Sequence, residues 1–347
     1  MPFINDRINA NKEIIAQAND KTRLTRQFRF TFSPEKVIAT LKSRIIGQEH
    51  VIDALNDVLF LLKADFNTPH RPLAVILFTG PTGVGKTETV RVLAEAILGD
   101  AEKICRIDMN TLSQEHYSSA ITGSPPGYVG SKEGQSLFDK DKIKGRFSEP
   151  GIVLFDEIEK ANQDVVRAIM NILDTGKLTL SSGTHEIDFS NTIIFMTSNI
   201  GAKENHQQIT HYQKSWRRLL RKKTTASKTI VDKALSEHFD PEFINRIDRV
   251  ITFKSLEKDQ FQQVIHIELE KLNARLKPRN AHCIIDQQAI DYLSKYYDSR
   301  YGARDVLRHM RKEFEPLLAK AILQFNHQEK FIITVKNQQL LAATVSE

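Results

Sequence analysis

A run of glycines that ends in lysine and threonine is the first feature of the sequence that could do chemistry. It reads Gly80-Pro81-Thr82-Gly83-Val84-Gly85-Lys86-Thr87. Glycines let backbone N–H groups turn inward around an anion, lysine adds a positive charge, and the threonine hydroxyl can reach a metal ion. We therefore predict a phosphate-binding loop for ATP, with Lys86 on the β and γ phosphates and Thr87 on Mg²⁺. The next residue, Glu88, is included among the predicted nucleotide contacts.

The residues around this run have the periodicity needed to hold such a loop. An apolar run from Leu73 to Phe78 precedes it and is typical of a buried strand. After it, apolar residues recur with helical spacing at Val90, Leu93, Ala94, Ile97 and Leu98. The order strand, loop, helix points the positive end of the helix at the phosphates.

Two adjacent carboxylates follow a second apolar run, Ile152 to Phe155. They are Asp156 and Glu157. At the carboxyl end of a parallel strand, Asp156 can orient the water of a magnesium ion and Glu157 can polarise the attacking water. The alternative is that the pair only caps the N-terminus of a helix.

A third apolar run, Ile193 to Met196, leads to Asn199. An amide at that strand end can hold the attacking water near the γ-phosphate, and the alternative is that it caps the next turn. With "ICRID" and "VITF", the sequence offers five strand candidates separated by helical stretches. This pattern predicts an α/β fold with a doubly wound parallel sheet.

The composition is that of a globular chain of 347 residues, with 40% hydrophobic and 27% charged residues. Its first twenty residues include Asp6, Glu13 and Asp20 and lack an apolar core, so we expect a cytoplasmic protein rather than an exported one. The two cysteines, Cys105 and Cys283, are too few for a disulfide framework or a zinc site. We expect Cys105 to be a buried apolar thiol.

Two further segments could contact a partner. The stretch "GSPPGYVG", 123–130, reads as a loop that carries one large aromatic, Tyr128. The net charge of +6 arises in 203–228, which holds eight basic residues and one acidic residue, so the rest of the chain is close to neutral. Within it, "WRRLLRKK" from Trp216 to Lys223 could form a short basic helix with an apolar stripe. It could dock on the protein's own surface, or bind an acidic partner, nucleic acid or an anionic membrane.

Taken in order, the motifs resemble those of one family. The phosphate loop, "LFDEIEKA", "FMTSNIG", "DPEFINRID" and "YGARD" are similar to the AAA+ ATPases, and specifically to the second ATPase module of the ClpB-type Clp unfoldases. The resemblance runs from about Pro34 to the C-terminus. It implies an N-terminal arm (1–33), a large α/β ATPase domain (34–253) and a small, mainly helical C-terminal lid domain (254–347).

The resemblance also implies roles that spacing alone does not. Ile45 and Ile46 match the segment that packs on adenine. Arg246 matches the arginine finger that reaches the nucleotide of a neighbouring subunit, and Arg304 matches the sensor arginine of the lid. Such a finger implies a ring, in this family usually a homohexamer.

Residues that would line the pore of that ring follow from the same likeness. Tyr128 and Val129 match the loop that grips polypeptide. The alternative is that Tyr128 is an aromatic residue of the core. Glu115 and His116 lie where the family has a second, polar pore loop. We therefore predict an ATP hydrolase that unfolds protein by threading it through a ring.

The differences from the family pattern bear on partners. No Ile-Gly-Leu or Ile-Gly-Phe tripeptide occurs between Ala202 and Asp240, which disfavours a ClpP-type peptidase partner. Only about 33 residues precede the ATPase module, so we expect an adaptor protein to help choose the substrate. Two alternatives remain, a nucleic-acid-associated AAA+ ATPase and a switch that assembles on ATP without threading.

Overall fold

The computed structural model describes residues 28–113, 137–179, 186–201, 223–295 and 302–344, with no side-chain description for 223–230 and 258. Within these ranges, none of the helices combines the length and the apolar character that crossing a membrane requires. The predictions for Glu115, His116, Tyr128 and Val129 lie outside the described residues. The same holds for the arm up to residue 27 and for 202–222.

The large domain is built on a five-stranded parallel sheet, as predicted from the apolar runs. Its strand order is β2-β3-β6-β1-β7, and every neighbouring pair is parallel. Strands β1, β3 and β6 are buried at every position, which explains why they are apolar without alternation. A short antiparallel hairpin, β4 with β5, was not predicted. The strands are β1 Ala74–Thr79, β2 Cys105–Asp108, β3 Gly151–Asp156, β4 Lys177–Thr179, β5 Glu186–Asp188, β6 Thr192–Ser198 and β7 Arg249–Thr252.

Helices cover both faces of this sheet. Ile76 and Phe78 of β1 belong to one apolar cluster, and the alternating residues Val75 and Leu77 belong to another on the opposite face. The fold is therefore doubly wound, as expected. The helices of this domain are α1 Pro34–Arg44, α2 Glu49–Lys63, α3 Lys86–Leu98, α4 Lys140–Lys144, α5 Gln163–Thr175, α6 Lys223–His238 and α7 Pro241–Ile244.

Parallel pairing brings the predicted site residues to one edge of the sheet. The last residue of β1, Thr79, pairs with Ser198, so the phosphate loop and Asn199 leave neighbouring strands at the same level. On the other side of β6, strand β3 ends at Asp156, which pairs with Asp108 at the end of β2. The carboxyl ends of four strands thus converge.

The C-terminal part has its own core and a second sheet. Phe261, Phe314 and Phe331 are fully buried in a cluster separate from those of the large domain. The sheet has the order β10-β9-β8, with β8 parallel and β10 antiparallel to β9. Cys283 lies in this core, and Cys105 in that of the large domain, so Cys105 is buried as expected. The elements are α8 Lys258–Leu276, β8 His282–Ile285, α9 Gln287–Lys295, α10 Ala303–His309, α11 Glu315–Gln324, β9 Lys330–Lys336 and β10 Gln339–Thr344.

A π-helical turn, Met310–Phe314, joins α10 to α11. Pro316, in the first turn of α11, has no N–H to donate to the carbonyl four residues earlier, which favours this local widening. The helical segment 303–324 is therefore divided between two α-helices.

Candidate functional site: the nucleotide pocket

The phosphate loop lies between β1 and α3, as predicted, and its backbone depends on glycine. Gly80, Gly83 and Gly85 all have positive φ. A Cβ added at Gly80 would lie 2.6 Å from the carbonyl oxygen of Phe253, so no larger residue fits there. Gly85 caps α3 without a side chain, which leaves the first N–H groups of that helix available to an anion.

Lys86 is held inside the loop. Its side chain is buried, and Nζ donates hydrogen bonds to the carbonyl oxygens of Gly80 (2.6 Å) and Pro81 (2.7 Å) and to Oδ1 of Asn199 (3.0 Å). Burial lowers the pKa of this ammonium to about 8, although Glu159 acts in the opposite direction. The positive charge is thus directed by backbone oxygens towards the position where phosphates bind in such loops.

Asp156 accepts hydrogen bonds from three side chains. Thr87 Oγ1 donates to Oδ1 at 3.2 Å, and Thr197 Oγ1 donates to the same atom at 2.5 Å. Arg106, on β2, donates to Oδ2 from Nε at 3.1 Å and from Nη2 at 2.6 Å. The carboxylate is therefore fixed beside the threonine that ends the phosphate loop.

Glu157 occupies the left-handed region of backbone conformation, with φ 59° and ψ 53°. A non-glycine residue pays a conformational cost there, and such strain is concentrated at functional sites. Its N–H donates to Thr197 Oγ1 at 3.0 Å, and its Oε2 accepts from Nδ2 of Asn110 at 2.6 Å. The turn thus separates the two carboxylates, which face different partners.

Asn199 is bound at both its side chain and its backbone. Its Oδ1 accepts from Lys86 and from Thr82 Oγ1 (3.3 Å), and its backbone N–H donates to Oε1 of Glu159 at 3.0 Å. The structure therefore brings Lys86, Thr87, Asp156 and Asn199 into one hydrogen-bonded site.

The small domain reaches the phosphate loop at the start of α10. The N–H of Ala303 donates to the carbonyl oxygen of Gly83 at 2.9 Å, and a Cβ added at Gly302 would lie 2.7 Å from that oxygen. Arg304 follows directly, and its charge lowers the pKa of Lys86. The sensor arginine predicted from the family likeness is thus close to the loop.

Two more contacts join the domains beside the site. Glu88, predicted as a nucleotide contact, pairs through its side chain with Lys271 of α8 at 2.8 Å. The side chain of Gln48 is fully buried and bonds both the N–H (3.1 Å) and the carbonyl oxygen (2.9 Å) of Lys254. Ile45 is buried and Ile46 half-buried just before Gln48, so the predicted adenine segment lies at the domain junction.

Arg246 is the one described candidate that the fold places elsewhere. Its Nη2 pairs with Asp174 at 2.6 Å and Nη1 donates to the carbonyl oxygen of Glu242, while its buried Nε has no partner among the described residues. Its own carbonyl oxygen accepts from Arg71, which lies near the amino end of β1. Roughly 20 Å of strand separates that end from the phosphate loop.

Comparison with known proteins gives the family. Residues 71–250 match the model described as AAA domain (Cdc48 subfamily), and 256–335 match the C-terminal, D2-small domain of ClpB protein. The ATP-dependent protease ATP-binding subunit-like protein AmiB of Pseudomonas aeruginosa is 42% identical over 93% of this chain and 88% of its own length. The chain belongs to the Clp-type AAA+ ATPases.

Other relatives are longer than this chain. The chaperone protein ClpB 1 of Synechococcus elongatus is 38% identical over 88% of this chain but only 34% of its own length. S. cerevisiae Hsp104 in a complex with casein, in its extended conformation, superposes with a TM-score of 0.75 at 30% identity, over 91% of this chain and 53% of the Hsp104 chain. The chain thus spans about a third of this ClpB and about half of Hsp104.

These findings confirm the family, the fold class and the predictions of a nucleotide-binding ATP hydrolase of the unfoldase type. The roles given to individual residues and the domain boundaries at 33 and 253 remain predictions.

Sequence reasoning missed several polar residues of this AAA+ site. Arg106 and Asn110 lie at and after β2, a strand recognised only by its apolar positions. Thr197 and Glu159 lie within two quoted motifs, "FMTSNIG" and "LFDEIEKA", but no spacing rule distinguishes them from their neighbours. The only sequence signal for Thr197 and Glu159 is that each lies two residues from a predicted functional residue, and Arg106 and Asn110 have no such signal.

Proposed function

We propose that this Clp-type ATPase is an ATP-driven protein unfoldase that threads polypeptide through the central pore of a homohexameric ring. One observation carries the proposal. Lys86, Asp156 and Asn199 converge at one edge of the sheet, and the small domain contacts the same loop through the hydrogen bond from the N–H of Ala303 to the carbonyl oxygen of Gly83. A site closed by a second domain can convert a change of nucleotide into movement of that domain.

Mg²⁺ fits the oxygen donors of this site. Thr87 offers a hydroxyl and Asp156 a carboxylate 3.2 Å away, and both are the hard oxygen ligands that magnesium accepts. These two residues would hold the ion, through water where needed, and the ion would neutralise charge on the β and γ phosphates. Lys86 and the N–H groups at the start of α3 would bind the same phosphates.

Glu157 and Asn199 would act on the attacking water. A carboxylate near the γ-phosphate can orient water and accept its proton, and the Asn199 amide can hold that water from the neighbouring strand. Glu157 must first leave Asn110, because β2 lies on the side of β3 away from the phosphate loop.

Arg246 would serve the site of a neighbouring subunit. It lies at the opposite end of β1 from the loop of its own chain, which agrees with action in trans. Arginine fingers are worth about 10³ to 10⁵ in rate in other nucleotide hydrolases. We therefore expect hydrolysis to depend on assembly into a ring. The similarity to Hsp104 bound to casein supports a polypeptide as the substrate.

The grip on that polypeptide is assigned to Tyr128 and Val129, with Glu115 and His116 as a second, polar contact. A flat aromatic surface binds side chains of any sequence. An adaptor protein would select the client, and a ClpP-type peptidase is disfavoured by the missing tripeptide. The basic segment from Trp216 to Lys223 favours the second candidate function, a nucleic-acid-associated ATPase.

The experiment is to measure retention of a labelled, unstructured polypeptide by the Glu157→Gln variant with ATP or with ADP. We expect ATP to produce a long-lived complex and ADP to release it. Adding Tyr128→Ala should abolish retention, whereas Tyr128→Phe should preserve it. Retention of labelled single-stranded DNA in place of polypeptide would contradict the proposal in favour of the nucleic-acid function. ATP-dependent assembly without retention of either would identify a switch.

A further inference from the structure

Glu159 lies one turn beyond the acidic pair, in the 3-10 turn Ile158–Lys160. Ile158 is fully buried in the core that includes Phe155 of β3. On the other side, the carbonyl oxygen of Glu159 lies 3.2 Å from Nε2 of His238, at the end of α6. The turn is therefore anchored at two points, and the Glu159 side chain extends from a fixed base.

The carboxylate of Glu159 binds the residue that follows β6. Its Oε1 accepts the backbone N–H of Asn199 at 3.0 Å, one residue beyond Ser198, the last residue of β6 to pair with β1. The sheet no longer fixes the chain at Asn199, so Glu159 supplies the next constraint. The side chain of Asn199 in turn contacts Lys86 and Thr82. Glu159 thus fixes the backbone from which the Asn199 amide projects.

The second carboxylate oxygen distinguishes this contact from an ordinary turn. Oε2 of Glu159 is buried and has no hydrogen-bond partner in the part of the chain that the structure describes. A buried acceptor without a partner is destabilising, so a side chain chosen only to hold the turn would avoid it. A buried polar atom without a hydrogen-bond partner therefore points to a functional role for the residue.

We propose that Glu159 is a positioning residue for ATP hydrolysis, which acts by holding Asn199 in the orientation that hydrolysis needs. The inference rests on the role proposed for Asn199. It predicts a larger effect on turnover than on nucleotide affinity, because Glu159 binds Asn199 rather than the backbone of the loop and α3 that binds the phosphates. The comparison is made well below pH 8, because Glu159 also raises the pKa of Lys86. Displacement of a catalytic group by about 1 Å is enough to cost two orders of magnitude in rate.

The test compares Glu159→Ala, Glu159→Gln, Asn199→Ala and the double variant Glu159→Ala/Asn199→Ala in the full chain. Steady-state hydrolysis of ATP gives kcat, and titration with a fluorescent ATP analogue gives the dissociation constant. Lys160→Ala, on the same turn with an exposed side chain, is the matched control for disturbance of the turn. A thermal melt of each variant reports on folding.

We expect Glu159→Ala to lower kcat about tenfold or more with nucleotide affinity within about threefold of the parent. Glu159→Gln keeps an acceptor for the Asn199 N–H and should recover most of the rate. In the Asn199→Ala background, Glu159→Ala should have no further effect, because the group that it positions is gone.

Three results would overturn the inference. They are multiplicative losses in the double variant, equal losses of affinity and turnover, and a kcat for Glu159→Ala no lower than that of Lys160→Ala. If Asn199→Ala leaves kcat unchanged while Glu159→Ala lowers it, the role of Asn199 fails as well. Multiplicative losses alone leave that role intact and remove only the coupling to Glu159.

Discussion

The side-chain amide of Asn110 donates a hydrogen bond of 2.6 Å to the Glu157 carboxylate. Asn110 follows β2 at the edge of the sheet, whereas the phosphate loop follows β1, with β3 and β6 between them. The bond therefore holds the proposed catalytic carboxylate on the side of β3 away from the phosphates. If Glu157 acts on the attacking water as proposed, this bond must open first, and Asn110 then sets part of the cost of reaching the active arrangement.

Asn110→Ala should raise the basal ATPase rate. A hydrogen bond to a charged group contributes about 1.5 to 3 kcal/mol, part of which Glu157 recovers from water on release. We expect kcat to rise about threefold to tenfold, measured with phosphate release at saturating ATP. Asn110→Asp should act in the same direction through charge repulsion, and Glu157→Gln should abolish turnover in either background. A fall in kcat for Asn110→Ala would show that Asn110 aligns Glu157 for catalysis instead.

The affinity for ATP should depend on pH through Lys86. Burial lowers the pKa of its ammonium to about 8 in the nucleotide-free protein, whereas bound phosphates keep the proton in place. Affinity should therefore be constant well below pH 8 and fall above it, by at most about tenfold per pH unit. Titration with a fluorescent ATP analogue across this range measures the effect, and Lys86→Met should lack it.

Unfolding of the protein does not account for this fall in ATP affinity, because the contribution of Lys86 to folding stability changes with pH in the opposite direction. The pKa of Lys86 is lower in the folded chain than the ordinary lysine value of 10.5, so the unfolded chain binds more protons between these values. The Lys86 contribution to the free energy of unfolding therefore increases with pH across that window. A dissociation constant that stays flat well above pH 8 would contradict the buried environment described for Lys86.

The contact between the domains can be tested at Gly302. Alanine at this position is strained at φ 55°, and its Cβ would lie 2.7 Å from the Gly83 carbonyl oxygen. We expect the start of α10 to be displaced, with loss of the Ala303 bond to Gly83 and about a tenfold weaker affinity for ATP. Isothermal titration and steady-state hydrolysis measure the two effects.

Gly99→Ala is the matched control for Gly302→Ala. Gly99 also has a positive φ, 75°, but an added Cβ there meets open space. Gly99→Ala should lose about 1 kcal/mol of stability from backbone strain. Gly302→Ala should lose more, because its ψ of −141° at φ 55° lies in a region that is almost confined to glycine. Only Gly302→Ala should lose nucleotide affinity, and equal losses in both would show that strain, not the domain contact, is responsible.

The sequence allowed the sheet and the centre of the site to be predicted for one physical reason. β1, β3 and β6 are buried on both faces, so each appears as an apolar run that ends at a polar residue. Parallel strands bring their carboxyl ends to the same edge of the sheet, so this proximity can be predicted without knowing any side-chain contact. Asp156, Asn199 and the glycine-rich loop that carries Lys86 were therefore expected at one edge of the sheet.

The other polar residues of the site could not be predicted, because their contacts depend on the order of the strands and on the position of the second domain. Neither is encoded in a short stretch of sequence. Arg106 reaches Asp156 only because β2 lies beside β3, and Lys271 reaches Glu88 across 183 residues of chain. The orientation of Glu157 follows from a left-handed backbone that no residue preference at this position indicates. These contacts follow from the tertiary structure and not from the local sequence.

The most direct test of ATP-driven threading uses a folded fluorescent reporter that carries an unstructured tail. Loss of its fluorescence and release of phosphate are followed together for the parent chain, Tyr128→Ala and Glu157→Gln. We predict that the parent unfolds the reporter with ATP, that Tyr128→Ala hydrolyses ATP without unfolding it, and that Glu157→Gln does neither. Unfolding by Tyr128→Ala at the rate of the parent, or by the parent without ATP, would contradict the account.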